Sequence, residues 1–201
     1  MRRFNIHGTA AAALTTQFAS ATTLATSATL VGTTTGDSLA HKITVTGNAA
    51  TNHSAKTITI TGTYNGVVVT DTVSGPNGTA TVTSTKYMDI LTSVTIDSTA
   101  GADTFKIGMA VDSVSPWVHV ARENNPKGGF GIGFGCQVTS GSPTFSVQHS
   151  HGGSDPSVAY THSVVTAKTS NTEGNYTTPI EAFRLLWTAA GGVEMTGNWI
   201  A

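Results

Sequence analysis

Charge is what this chain has least of. Asp, Glu, Lys and Arg make up 10% of its 201 residues and leave a formal net charge of -1, against roughly 25% charged residues in an average globular protein. With no basic field there is nothing to attract nucleic acid, and with no basic cluster nothing to hold an anionic membrane. Cysteine is nearly absent: Cys136 stands alone, which excludes an intrachain disulfide. The long helix formers Glu, Lys, Gln and Arg are scarce, which argues against helices. Long apolar runs are missing too. After Met1-Arg2-Arg3 the segment IHGTAAAALTTQFASATTLATSATL is broken repeatedly by Thr, Ser and Gln. It therefore reads neither as an export signal nor as a membrane span.

Threonine fills the gap. The sequence holds 37 of them, and a β-branched side chain suits a pleated surface better than a helix. Apolar residues at 38% still allow a packed core. The stretch KTITITGTYNGVVVTDTVSG, Lys56 to Gly75, shows the design. Asn65-Gly66 is a two-residue turn signal that fixes a hairpin register: Tyr64 with Val67, Gly62 with Val69, Ile60 with Asp71, Ile58 with Val73. One face is apolar. The other carries Thr59, Thr61, Thr63, Val68, Thr70 and Thr72. Asp71 interrupts the apolar face and reads as an edge position whose carboxylate reaches water. HKITVTG, with Ile43 and Val45, precedes the hairpin. TATVTST, LTSVTID and DTFKIGMAV follow it, with Val82, Val94, Ile96, Phe105, Ile107 and Met109 as core. Strands recurring roughly every 8 to 14 residues between Gly, Asn or Pro suggest a β-sandwich.

The composition changes at Ser113 to Pro116, where aromatics rise and the Thr alternation weakens. In GFGIGFGCQV, residues 129–138, Phe130, Ile132, Phe134, Cys136 and Val138 form one face. Gly129, Gly131, Gly133, Gly135 and Gln137 form the other, and let a backbone or a bulky ring lie close. TFSVQH, SVVTAKT, EAFRLLW and GVEMTGNWI read as further strands, with Phe183, Leu185 and Trp187 on one face and Val193, Met195 and Trp199 on another. The fold expected is all-β: two consecutive β-sandwich units, Ig-like or jelly-roll-like, over 36–112 and 113–201, behind an extended N-terminal arm over 1–35. The arm is Ala/Thr/Ser-rich and weakly patterned. It reads as a flexible tail or as a segment that orders on a neighbour, and its interface candidates are Arg2, Arg3, Leu14, Phe18, Leu24 and Leu30.

No catalytic constellation emerges. Cys136, on an apolar face, reads as a buried thiol rather than a nucleophile. HSHGGSDP offers the one metal-ligand candidate set, His149, His151 and Asp155, with His53, His119 or His162 as possible additions. Zinc needs three or four convergent ligands, and the segment guarantees only two, so a polar Gly-rich loop is the plainer reading. The carboxylates are scattered, GGSDP is only loosely like a nucleophile elbow, and GGFGIGFG alternates as a strand and opens no helix. Trp117, Trp187 and Trp199 read as core rather than as a sugar platform. The expectation is a non-enzymatic protein with no cofactor.

Two stretches carry a resemblance. ITVTGNAATNHSAKTITITGTYNGVVVTDTVSGPNGTATVTSTKYMDILTSVTID resembles a β-sandwich module of tailed-bacteriophage virion proteins. SPWVHVAR, TFSVQHS and EGNYTTPIEAFRLLWTAAGG resemble the C-terminal half of such proteins. The resemblance implies a head decoration (cement) protein: a homotrimer on the capsid surface, made in the host cytoplasm, with the major capsid protein and its own copies as partners and no nucleic acid or membrane. Arg2 and Arg3 would then meet an acidic patch on the capsid. The alternatives are a receptor- or glycan-binding module of a head or tail fibre, and a tail-tube or connector component.

Overall fold

The structure, a computed structural model, describes residues 2–24, 27–98, 100–120, 130–151 and 161–200, with Thr161, Trp199 and Ile200 described by backbone alone. The fold is all-β, and no helix occurs among the described residues. In chain order the strands are β1 (Arg2–Ala10), β2 (Leu14–Thr23), β3 (Ala40–Gly47), β4 (Thr57–Tyr64), β5 (Val67–Ser74), β6 (Thr81–Met88) and β7 (Ile90–Ile96). They continue as β8 (Thr104–Val114), β9 (Val118–His119), β10 (Gly131–Ser150), β11 (Thr161–Lys168), β12 (Thr172–Tyr176) and β13 (Ala182–Ile200). The chain divides into two compact units, Ala12–Val111, and Met1–Ala11 together with Asp112–Ala201.

In the unit Ala12–Val111 the hairpin β4–β5 pairs in the expected register, from Tyr64 opposite Val67 to Ile58 opposite Val73. Asn65 and Gly66 take φ of 53° and 79°, the positive angles that a type I′ turn requires. β4 lies between β5 and β7. Ile58, Ile60, Tyr64, Val69, Leu91 and Val94 are buried. The second sheet places β8 between β2 and β3, with β6 beyond β3. It buries Phe18, Leu24, Ile43, Val45, Phe105, Ile107 and Met109. Val82 is half-buried rather than core. The β3–β6 register shifts between Lys42 and Thr44, and buried Ser84 fills the irregularity. Its hydroxyl accepts from the Ile43 N–H at 2.8 Å and donates to the Lys86 carbonyl at 2.8 Å.

Asp71 does not reach water as expected. It is buried, and its carboxylate accepts from the N–H groups of Thr72 (3.0 Å), Thr85 (2.5 Å) and Lys86 (3.1 Å) and from the Thr85 hydroxyl (3.0 Å). The charge ties β5 to β6, and so one sheet to the other.

The other unit is organised by two long antiparallel strands. β10 and β13 pair from Gly131–Ile200 to Ser150–Ala182. The sequence reads each as two strands, because TSGSPT and TAAGG look like turns. Pairing nevertheless runs through both, with register shifts between Val138 and Phe145. Gly141 (φ 66°) and Gly191 (φ 142°) supply the backbone angles at this bend. Below the bend the strands run β12-β10-β13-β1, and above it β11 joins β10 while β9 and the end of β8 join β13. Ile132, Phe134, Cys136, Phe145, Val147, Phe183, Leu185, Trp187, Val193 and Met195 are buried, as is Trp117. Val138 is half-buried. The Trp199 side chain lies outside the described residues.

The N-terminal arm is the main correction to the sequence reading. Residues 2–10 form β1, nine consecutive pairs with β13. β2 pairs with β8, and the Leu91 N–H donates to the Thr33 carbonyl at 2.7 Å. Residues 1–35 are therefore divided between the two units instead of standing outside them. Of the interface candidates, Phe18 and Leu24 are fully buried within their own unit, so they are core side chains. Leu30 is half-buried, while Arg2, Arg3 and Leu14 are exposed.

Candidate functional site

Three surfaces stand out, and each begins with strand alternation. The first is the edge formed by β10 and β11. His149 on β10 lies directly opposite His162 on β11, and His151 stands one residue past the end of β10. Directly opposed residues share a face of a sheet, which pairs His149 with His162, and His151 packs its ring beside both. Ring centroids are 5.0 Å apart for His149–His151, 5.6 Å for His149–His162 and 6.1 Å for His151–His162. The Tyr176 ring meets His149 edge-on at 5.1 Å. Tyr176 continues to Phe134 at 5.8 Å, so the histidines end a row of aromatic core side chains. The Tyr176 hydroxyl and His149 Nδ1 are buried and find no hydrogen-bond partner. Burial lowers the pKa of His149 from its ordinary value, and the charges of His151 and His162 lower it further. Burial raises the Tyr176 phenol well above its usual value.

The sequence pointed to His149, His151 and Asp155. The structure brings His149 and His151 together and adds His162, while Asp155 lies outside the described residues. His53 belongs to the other unit and bonds Asp103 at 3.0 Å; His119 sits in β9 opposite Ala182. Among the described residues no three His, Cys, Asp or Glu side chains are placed to hold a metal ion. His151 Nδ1 is engaged with the Pro179 carbonyl at 3.1 Å.

The second surface is the outer face of the sheet β12-β10-β13-β1. Here the glycine alternation of β10 leaves open ground: a Cβ added at Gly131, Gly133 or Gly135 would meet nothing within 4 Å. Glu173 and Asn175 flank the glycines on β12, and Thr196 and Asn198 flank them on β13. The resulting cleft, about 740 Å³, is lined by Arg3, Asn5, Glu173, Thr196 and Asn198 over a floor of Gly133 and Gly135. On the inner face the pattern reverses. Gly174 and Gly197 make room for the rings of Phe134 and Phe4. The sequence signalled the glycine column, but its polar walls come from distant segments and carry no local motif.

The third surface is the outer face of β5-β4-β7. Its cross-strand rows are Thr72-Thr59-Thr95, Thr70-Thr61-Ser93 and Val68-Thr63-Ile90. No ionisable side chain occurs in these rows. Val68 is 71% exposed and Ile90 43%.

Cys136 is buried, and burial raises its thiol to about 12. A thiolate is thus unavailable near neutral pH. We expect a thiol reagent to label native Cys136 far more slowly than unfolded protein. Equal rates would place the side chain on the opposite face of β10. Trp117 and Trp187 are buried, and the Arg184 guanidinium lies 4.3 Å from the Trp117 ring centroid, so neither offers a sugar platform.

Comparison with family models, with curated proteins and with solved structures found no match to this chain.

Proposed function

We propose that this chain is a non-enzymatic virion structural protein of a tailed bacteriophage, a homotrimeric decoration protein on the capsid surface. The observation that carries the reading is that the cross-strand rows on the outer face of β5-β4-β7 hold no ionisable side chain, with a carboxylate only at their rim, where the Thr63 hydroxyl donates to Asp89 at 2.7 Å. Burying an ion costs several kcal/mol unless it is paired, whereas hydroxyls and two aliphatic side chains pack against a neighbour without stripping water from a charge. The phage assignment itself rests on the sequence resemblance. The test is copy number and attachment. Mass spectrometry of virions carrying the chain should give hundreds of copies per particle, and light scattering of the purified protein should give a trimer. Thr61→Glu, which puts a carboxylate in the middle of the face, should leave the fold intact and abolish capsid attachment. A dozen copies or fewer, at the tail tip, would overturn the decoration reading.

A receptor- or glycan-binding module is the second reading, and the glycine-floored cleft favours it. Amides, a carboxylate and a guanidinium around a trough one strand wide suit a polyhydroxylated chain. Gly133→Leu fills the floor without touching the core. It should abolish any glycan binding seen on an array while leaving the melting temperature within a few degrees.

A further inference from the structure

We propose that His149, His151 and His162 form an acid-operated latch that holds β11 against β10 near neutral pH and releases it when the imidazoles charge. The geometry supplies the mechanism. Two of the rings face each other across one strand pair and the third stands just past the end of β10, and their centroids lie within 6.1 Å of one another. One uncharged ring stacks on its neighbour across the strands: His149 and His162 are inclined by 25°. Two charged rings at that separation repel each other, and the low dielectric beside the aromatic core strengthens the repulsion.

Among the described residues, the surroundings offer little to offset it. β10 contributes His149, the residue just past its end is His151, and β11 contributes His162, with Lys168 at its far end opposite Phe145. β12 contributes Tyr176, and its Glu173 pairs with Gly135. β13 contributes Arg184, whose Nε donates to Gln148 at 3.0 Å. Before β13, the Glu181 N–H donates to the Ser150 carbonyl at 2.9 Å, and β9 carries His119. The charges that act on His149 are those of its two histidine neighbours.

The direction follows from proton linkage. A closed edge holds His149 neutral below its ordinary range, whereas an open edge lets it protonate near the unperturbed histidine value, about 6.5. Closure is therefore unaffected above that value. It weakens as the pH falls below about 6.5, and the loss is complete below the lowered pKa of the closed form. β11 is also the irregular partner, with register shifts at Phe145–Val147 and Val147–Gln148 and a positive φ at Ala167. It is an edge strand with an interrupted ladder, so it is the strand that leaves.

Amide hydrogen exchange on the full chain at pH 7.5 and 5.5, corrected for the intrinsic pH dependence, reads this directly. Amides of β11 and of residues 145–150 should lose protection at pH 5.5, by at most about tenfold for a single histidine that opens to the unperturbed value, while those of β4 and β5 keep theirs. His151→Gln with His162→Gln, both at exposed positions, should fold normally and abolish most of the difference. Equal protection of wild-type β11 at both pH values would overturn the proposal. So would an undiminished loss in the double variant. A melting temperature raised by one equivalent of zinc at pH 7.5 would overturn it too, since the trio would then be a ligand set.

Discussion

Deleting residues 1–30 should abolish the folding of the unit Ala12–Val111 instead of releasing an arm. Phe18 and Leu24 are fully buried there, and the deletion removes both along with β2. Truncating a buried Phe to Ala costs about 3–5 kcal/mol and a buried Leu about 2–5 kcal/mol, against a typical total stability of about 5–15 kcal/mol. β1 goes as well, with buried Ile6 and Ala10, so the outer strand beside β13 is lost from the other unit. The expected result is a protein without a cooperative thermal transition by circular dichroism. Phe18→Ala should remain folded but melt well below the parent. A deletion variant that melts cooperatively at the parent's temperature would mean that these strands are dispensable. The result bears on the proposed assembly: the capsid contact proposed above would have to use surfaces of folded units, such as the exposed Arg2 and Arg3 at the start of β1.

The strands β3 to β8 were legible because the alternation there is strict and the turns are chemically marked. Asn65-Gly66 alone fixes eight cross-strand pairs. β1 and β2 were not legible, for a physical reason. The inward positions of β1 are Phe4, Ile6, Gly8 and Ala10, and small residues fill an inward face without looking apolar in a pattern. β2 shifts register between Leu14 and Ala19 and again before Thr22, so no single period describes it. The long strands β10 and β13 were read as four because Gly and Pro mark turns and bends alike. Only the partner strand tells the two apart, and its pairing continues through the bend. At the candidate site, the pair His149 and His151 was local and visible. His162 was within reach as a possible addition, but Tyr176 was not: it pairs with Ile132, at the opposite end of β10 from His149, and the two meet only through ring packing. The cleft was half visible: its glycine floor is one strand's alternation, while Asn5, Glu173, Thr196 and Asn198 meet only across four strands.

Asp71 gives the sharpest contrast between pattern and structure, and Asp71→Val tests it. By alternation alone the substitution should stabilise, since it completes an apolar face among Val69, Ile60 and Val73. The structure makes the opposite result expected. The carboxylate is 8% exposed and takes four hydrogen bonds, three of them from Thr85 and Lys86 on β6. Hydrogen bonds to a charged group are worth about 1.5–3 kcal/mol each, and donors left without an acceptor carry their desolvation penalty. Lys86 is half-buried and Thr85 exposed, so water recovers part of the loss. The added apolar burial, ~1–2 kcal/mol for a valine, offsets another part. The net expectation is a destabilisation of about 2–4 kcal/mol, read by urea denaturation with an unchanged slope. Asp71→Asn should fall between the two, because one amide oxygen replaces the two carboxylate oxygens that divide the donors of Thr72 from those of Thr85 and Lys86. If Asp71→Val proves as stable as the parent, the carboxylate is not what joins β5 to β6, and the two sheets of this unit are held together by their apolar faces alone.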